Sequence, residues 1–181
     1  IEITGSHNPA NYNGFKMVLM GKPFFGADIQ KIGRMASAED WVEGTGVSEH
    51  LDILDQYVAR VAQAAPQKAF RIGWDAGNGA AGPAIERLVK MLPGEHHLLF
   101  MEVDGQFPNH HPDPTDPANL VDLQRLVAEK KLDFGVAFDG DGDRIGAIDG
   151  EGRVIWGDQL LQIYAADVLG EVPGATIIAD V

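Results

Sequence analysis

Apolar and polar positions along the chain predict strands and helices in alternation. Ile1–Thr4 reads as the end of a strand, and Phe15–Met20 is a short apolar run between Gly14 and Gly21, hence a strand. Asp28–Ala38 carries a helical pattern, and Glu43–Ser48 is small, polar and glycine-bearing, the composition of a linker. Leu51, Leu54, Val58, Val61 and Ala65 recur at helical spacing, and Pro66 ends that helix. Beyond it, Ala69–Asp75 predicts a strand, Ala80–Leu92 a helix, His97–Val103 a strand, Leu120–Lys131 a helix and Phe134–Phe138 a short strand. A Pro-rich loop spans Asp104–Ala118. Ile145–Ile148 and Arg153–Trp156 flank Asp149–Gly152 as a hairpin, Asp158–Leu169 follows as a helix, and Ala175–Val181 as a last strand. Strand and helix in turn imply parallel strands under covering helices.

Composition narrows the class. The 181 residues suit one domain or two small ones at roughly 150 residues per domain. Apolar residues at 45% and charged residues at 23% are ordinary globular usage, which argues against disorder or a fibrous repeat. Asp and Glu number 27 against 14 Lys and Arg, a net charge of −13 that repels phosphate backbones, so no nucleic-acid partner is expected. Without cysteine there are no disulfides and no thiolate metal sites. No apolar run approaches the roughly 20 residues that cross a bilayer, and no signal-peptide pattern opens the chain, so the expectation is a soluble, cytoplasmic protein with no membrane partner. Both ends read as strands lacking their sheet, which predicts an internal piece of a longer protein.

The densest chemistry is Asp139-Gly140-Asp141-Gly142-Asp143-Arg144, directly after a buried-looking strand. Three carboxylates at alternating positions repel unless a cation sits among them, and an all-oxygen set suits Mg²⁺ or Ca²⁺. An EF-hand fails here, because its sixth position is Arg144 and its twelfth Gly150, and because a strand precedes it. The plain alternative is a solvated acidic turn. Three ligands leave open positions for water or phosphate, which points to phosphoryl chemistry.

Two further loops compete for attention. Thr4–Pro9 is small, polar and turn-forming and presents Ser6, but Gly-x-Ser-x-Gly is absent, since position 8 is Asn. His7 directly follows Ser6, and sequence neighbours rarely face each other as nucleophile and base. Taken alone, Ser6 reads as a turn or cap residue and Lys16 as a solvated charge. Gly77-Asn78-Gly79-Ala80-Ala81-Gly82 matches the dinucleotide fingerprint between strand and helix, with Glu102 placed at the end of the next strand like a ribose acid. The other reading gives these glycines to a tight turn and close packing. His110 and His111 read as structural rather than zinc ligands, and Asp75 and Asn78 as turn residues.

As a pair, the serine and aspartate loops resemble the α-D-phosphohexomutases, bacterial phosphomannomutase/phosphoglucomutase type. Asn13–Lys16, Asp75–Gly82 and Phe107–Pro114 extend the likeness along nearly the whole chain. In that family the glycine loop recurs without a nucleotide. The resemblance implies an α/β fold with a mixed, mostly parallel sheet flanked by helices. Residues 1–49 become the C-terminal part of a first domain with the phosphoserine loop, 50–153 a complete second domain with the metal loop, and 154–181 the start of a third. The sugar-reading and phosphate-binding loops of such enzymes have no counterpart here, so this piece by itself is expected to be inactive.

The resemblance also implies a reaction: interconversion of hexose 1-phosphate and 6-phosphate, on mannose or glucose, through a bisphosphorylated sugar. Ser6 matches the phosphorylated serine. Asp139, Asp141 and Asp143 would hold Mg²⁺ together with Ser6. Arg144 would orient phosphate or the serine loop, Lys16 assist proton transfer and His7 support the loop. A monomeric parent and a piece free to self-associate are expected. The alternatives are a phosphoglucosamine mutase, a non-catalytic metal-binding fragment and, by the glycine loop, a dinucleotide-dependent oxidoreductase.

Overall fold

A computed structural model describes residues 1–179. The chain opens with two ribbons: β1 (Glu2–Ile3) pairs antiparallel with β2 (Phe15–Lys16), and β3 (Val18–Leu19) with β4 (Lys22–Pro23). The single strand expected over Phe15–Met20 is therefore split between two ribbons. The second closes on Met20 and Gly21, both left-handed (φ 52° and 75°), the turn whose twist matches a hairpin. α1 (Ala27–Ser37) buries none of its residues. Residues 40–53 form no helix or strand, so the predicted linker lies in open chain.

α2 (Leu54–Ala62) starts three residues later than its apolar spacing suggests, where the Leu54 amide donates to the Asp52 carboxylate (3.0 Å). Then come β5 (Phe70–Asp75), α3 (Gly82–Leu88), β6 (Gly94–Leu99), a 3₁₀ turn over Pro117–Leu120, α4 (Val121–Lys130), β7 (Phe134–Phe138), β8 (Ile145–Asp149), β9 (Val154–Ile155) and α5 (Gly157–Glu171). One five-stranded sheet has the order β6-β5-β7-β8-β9. β6, β5 and β7 run parallel, β8 opposes β7, and β9 opposes β8. The fold is thus α/β with a mixed sheet flanked by helices.

β6 lies earlier than the predicted His97–Val103, because parallel pairing with β5 sets its register, from Phe70 beside Gly94 to Asp75 beside Leu99. Left-handed Phe100 (φ 55°) ends it. Glu102 therefore stands outside any strand, and its carbonyl accepts the Asn78 side-chain amide (2.8 Å). α3 is shorter than the predicted Ala80–Leu92. Residues 175–179, expected in a last strand, form none, and Asp180 and Val181 lie outside the described residues.

α4 lies on one sheet face with Leu120, Leu123 and Val127 fully buried, the spacing of one helical stripe. Glycines in the strands allow this closeness: a Cβ on Gly135 would sit 2.9 Å from Leu123 Cδ1. Each fully buried Leu or Val here contributes roughly 1.5–3 kcal/mol. On the opposite face Trp74 and Phe138 stack at 6.4 Å, beside Val58 of α2 and Ile85 of α3. Asp75 ends β5 and Asp139 directly follows β7, so both stand at the carboxyl edge of parallel strands, where α/β sheets place their ligands. Among the described residues no helix is long and apolar enough to cross a membrane.

Candidate active site at the aspartate and serine loops

The turn from β7 into β8 is the aspartate loop. Asp139 is fully buried, its Oδ1 accepting the Arg144 amide at 3.0 Å. Gly142 (φ 75°) supplies the left-handed step that brings Asp143 back toward Asp139. One oxygen from each of Asp139, Asp141 and Asp143 falls within 4.8 Å of the others. Among the described residues this is the only convergence of three such side chains; His110 and His111 take no part in one.

Ser6 reaches this loop from 133 residues away: its Oγ donates to Asp139 Oδ2 at 3.3 Å. Gly140 permits the approach, since a Cβ there would collide with the Ser6 carbonyl. Ser6 itself is left-handed (φ 51°), a strained setting for a residue with a side chain. That turn corrects one expectation. Ser6 Oγ and His7 Nδ1 lie 3.2 Å apart, so these sequence neighbours do face each other.

Lys16 donates to Asp141 Oδ2 at 2.9 Å and to Asp143 Oδ2 at 2.7 Å, and these bonds hold it firmly as an ammonium with a raised pKa. Arg144 is more loosely placed, its Nε 3.9 Å from Asp139 Oδ2 and its side chain half-exposed. Burial pushes the Asp139 carboxyl above the usual range, with the charges of Asp141 and Asp143 adding to it against the Arg144 amide. Burial acts the same way on Asp141, but the bonds from Lys16 and Thr4 outweigh it and bring that carboxyl down to about 2.

Thr4 is the residue sequence reasoning passed over. Its hydroxyl accepts the Ser6 amide (2.8 Å) and donates to Asp141 Oδ2 (2.7 Å), tying one loop to the other. The signal was available, because a threonine two residues before a turn serine is the pattern of a hydroxyl capping its own backbone. With Oδ2 thus occupied, Asp141 Oδ1 is buried without a hydrogen-bond partner. A buried orphan carboxylate oxygen beside two further carboxylates fits a hard cation.

The glycine loop serves this site as packing. The Ala80 amide, near the start of α3, donates to the Gly140 carbonyl (2.9 Å). A Cβ on Gly79 would sit 2.8 Å from that same oxygen, and one on Gly82 would strike the Met101 carbonyl. Asp75, expected as a turn residue, is fully buried; it accepts the Gly77 amide at 2.8 Å and pairs with His110 at 3.0 Å.

Comparison with known proteins matches two segments of the chain. Residues 1–43 match the model of phosphoglucomutase/phosphomannomutase alpha/beta/alpha domain I, and residues 49–152 that of domain II. A phosphomannomutase/phosphoglucomutase of Pseudomonas putida is 44% identical over 100% of this chain and 39% of its own length. A phosphoglucomutase of Neisseria gonorrhoeae is 42% identical over 100% of this chain and 40% of its own. The crystal structure of a phosphoglucomutase/phosphomannomutase family protein from Burkholderia thailandensis superposes with a TM-score of 0.90 at 44% identity, covering 96% of this chain and 38% of that one. The chain thus spans about 39% of the length of such relatives. With the domain II model alone matching residues 49–152 of 181, the chain belongs to the phosphoglucomutase/phosphomannomutase family.

Proposed function

We propose that this chain carries the phosphoryl-bearing serine and the metal loop of a phosphohexomutase, which interconverts hexose 1-phosphate and hexose 6-phosphate. The observation that carries the reading is the meeting of Ser6 Oγ with Asp139 Oδ2 at 3.3 Å, in a chain 44% identical to a phosphomannomutase/phosphoglucomutase. The substrates on this reading are glucose and mannose phosphates. Residues 1–49 are the part of a first domain bearing the serine, 50–153 a second domain bearing the metal loop, and 154–181 the start of a third. Phosphosugars are charged and retained inside cells, so the reading includes a cytoplasmic protein, and it takes the full-length protein as a monomer.

Asp139, Asp141 and Asp143 would hold Mg²⁺, with Ser6 at its edge, since the donors are all hard oxygens and one of them is a buried orphan. Bound there, the ion supplies positive charge beside the phosphate oxygens. The residues do the rest. Transfer breaks the phosphorus bond to Ser6 Oγ and forms one to a sugar hydroxyl oxygen, while the hydroxyl proton ends on Ser6 Oγ. Lys16, already an ammonium, can assist only by giving up a proton it holds and taking the hydroxyl proton in its place, and its charge offsets that of the phosphate. His7, at 3.2 Å from Ser6 Oγ, steadies the serine, and Arg144 offers its guanidinium fork to the phosphate. The sugar bisphosphate then turns over and returns its other phosphate to Ser6.

The test is turnover of glucose 1-phosphate and mannose 1-phosphate by the full-length protein with Mg²⁺ and a bisphosphate activator, together with intact mass. A phosphate adduct should be present and should vanish, with activity, in Ser6→Ala. An active Ser6→Ala protein overturns the reading.

A further inference from the structure

One buried acid–base pair, Asp75 with His110, is not used by the reaction above. Asp75 is fully buried at the end of β5. Its Oδ1 accepts the Gly77 amide at 2.8 Å, and its Oδ2 lies 3.0 Å from His110 Nε2. The other ring nitrogen, His110 Nδ1, lies 3.0 Å from the His111 carbonyl oxygen. A carbonyl only accepts, so Nδ1 carries a proton. The proton between Oδ2 and Nε2 belongs to the more basic imidazole. Both ring nitrogens are then protonated, and the ring is a cation.

The loop that carries His110 packs against the glycine turn and, through Pro112, toward Gly140. His110 Cε1 and Pro112 Cβ each lie 3.2 Å from where a Cβ on Gly77 would stand, so the Pro-rich loop clamps the glycine turn. Pro112 is itself fully buried, and its Cγ lies 3.6 Å from the corresponding position on Gly140. Past the turn, the Ala80 amide holds the Gly140 carbonyl at 2.9 Å, between two of the aspartates. The rings of His110 and Phe100 are also T-shaped to each other, with centroids 5.3 Å apart.

We infer that His110 is an imidazolium locked to Asp75, and that this pair is a positioning element for the aspartate loop, whose divalent-cation affinity falls when His110 loses its proton. The inference rests on the reading of Asp139, Asp141 and Asp143 as a cation site, and not on the mutase reaction. The charged groups acting on the ring are Asp75 from β5 and, at longer range, Asp122 from α4. Burial disfavours the charged ring, but the bonds to Asp75 and to the His111 carbonyl outweigh it, so its pKa is raised above 6.5. The sign follows: the support is whole below the unfolded value and is lost as pH rises through the folded one. A site governed by carboxylates alone behaves oppositely, since its affinity rises with pH and then levels.

Asp75→Asn is the diagnostic variant, because an amide keeps every bond without charge. Its oxygen accepts the Gly77 amide, its NH₂ donates to a neutral His110 Nε2, and Nδ1 still donates to the His111 carbonyl. The 181-residue chain and this variant are titrated with Mg²⁺ by calorimetry from about pH 6 to about pH 9. The ¹⁵N shifts of His110 are followed alongside. In the wild type, affinity should fall by roughly threefold or more as His110 titrates, in step with its ring signals. In Asp75→Asn it should stay level. A flat or rising wild-type profile, an equal fall in the variant, a ring already neutral at pH 6, or no Mg²⁺ binding at all would each overturn the inference. Phosphosugar turnover by the full-length protein is scored separately, so failure of the clamp and failure of the mutase reading give different results. Should Asp75→Asn not fold, the wild-type titration and ring shifts decide alone.

Discussion

At the scale of single side chains, Thr4 joins the serine loop to the aspartate loop with one hydroxyl. Thr4→Val keeps the shape and removes both bonds. The Ser6 amide then lacks its acceptor, and Asp141 keeps only Lys16 on Oδ2. Loss of a hydrogen bond to a charged group costs about 1.5–3 kcal/mol, and loosened ligand support costs roughly tenfold or more in metal affinity. Melting and Mg²⁺ calorimetry should show both losses, and Thr4→Ser should restore them; equal affinity in all three proteins would disprove the role. Asp139 gives the opposite stability effect. Its folded pKa is raised above 3.8, so its charge costs stability at neutral pH, and metal-free protein recovers that stability as pH falls through the raised value. Asp141 is lowered to about 2, so its contribution is present above 3.8 and lost only on acidification toward 2. Asp139→Asn should therefore raise the melting temperature of the metal-free chain at pH 7 while abolishing Mg²⁺ binding. A variant that melts lower and still binds contradicts this account.

At the scale of elements, the approach of two loops depends on glycines that lack a Cβ. Gly140→Ala should push the Ser6 carbonyl off the aspartate loop while leaving the sheet intact. A displacement of about 1 Å at a reacting group costs on the order of 10²-fold in rate. Ser6 phosphorylation, followed by intact mass in the full-length protein, should slow by that order, with the far-ultraviolet circular dichroism spectrum unchanged. Unaltered phosphorylation would show that the loops do not need this closeness. Elements whose boundaries are set by their own chain were legible in the sequence: α1, α4, α5 and β7 lie within one or two residues of their predicted spans. β6 was misplaced because an edge strand takes its register from its neighbour, and α3 was overextended because apolar spacing carries no stop signal.

At the scale of the whole chain, burial is uneven. The sheet over β5, β7 and β8 holds the core, whereas α1 buries nothing and Ile3 and Phe15 are each 65% exposed. Backbone bonds that are not covered by packing open easily. Amide hydrogen exchange should therefore protect residues 70–75 and 134–149 far more strongly than residues 1–49, in the 181-residue chain. Uniform protection would mean that the N-terminal ribbons share the core's cooperativity. The same chain should show no mutase turnover when assayed alone, since its serine loop is anchored to the sheet domain chiefly through the bonds of Thr4, Ser6 and Lys16. Turnover at the rate of the full-length protein would refute this.

Local chemistry was enough to determine much of this protein. The alternation of apolar runs specified an α/β fold, because period and turn residues act within a few positions of themselves. Asp139-Gly140-Asp141-Gly142-Asp143 marked a candidate cation loop, and its three carboxylates do converge within 4.8 Å. Three things were decided only in the tertiary structure. The first is the junction of Ser6 with Asp139 across 133 residues, which no spacing rule expresses. The second is the task of the glycine loop, whose fingerprint is shared by nucleotide-binding turns and by close packing; the carbonyls of Gly140 and Met101 standing against Gly79 and Gly82 show the packing. The third is the charge on His110, since the proton count of an imidazole depends on which acceptors the folded chain sets against its two nitrogens.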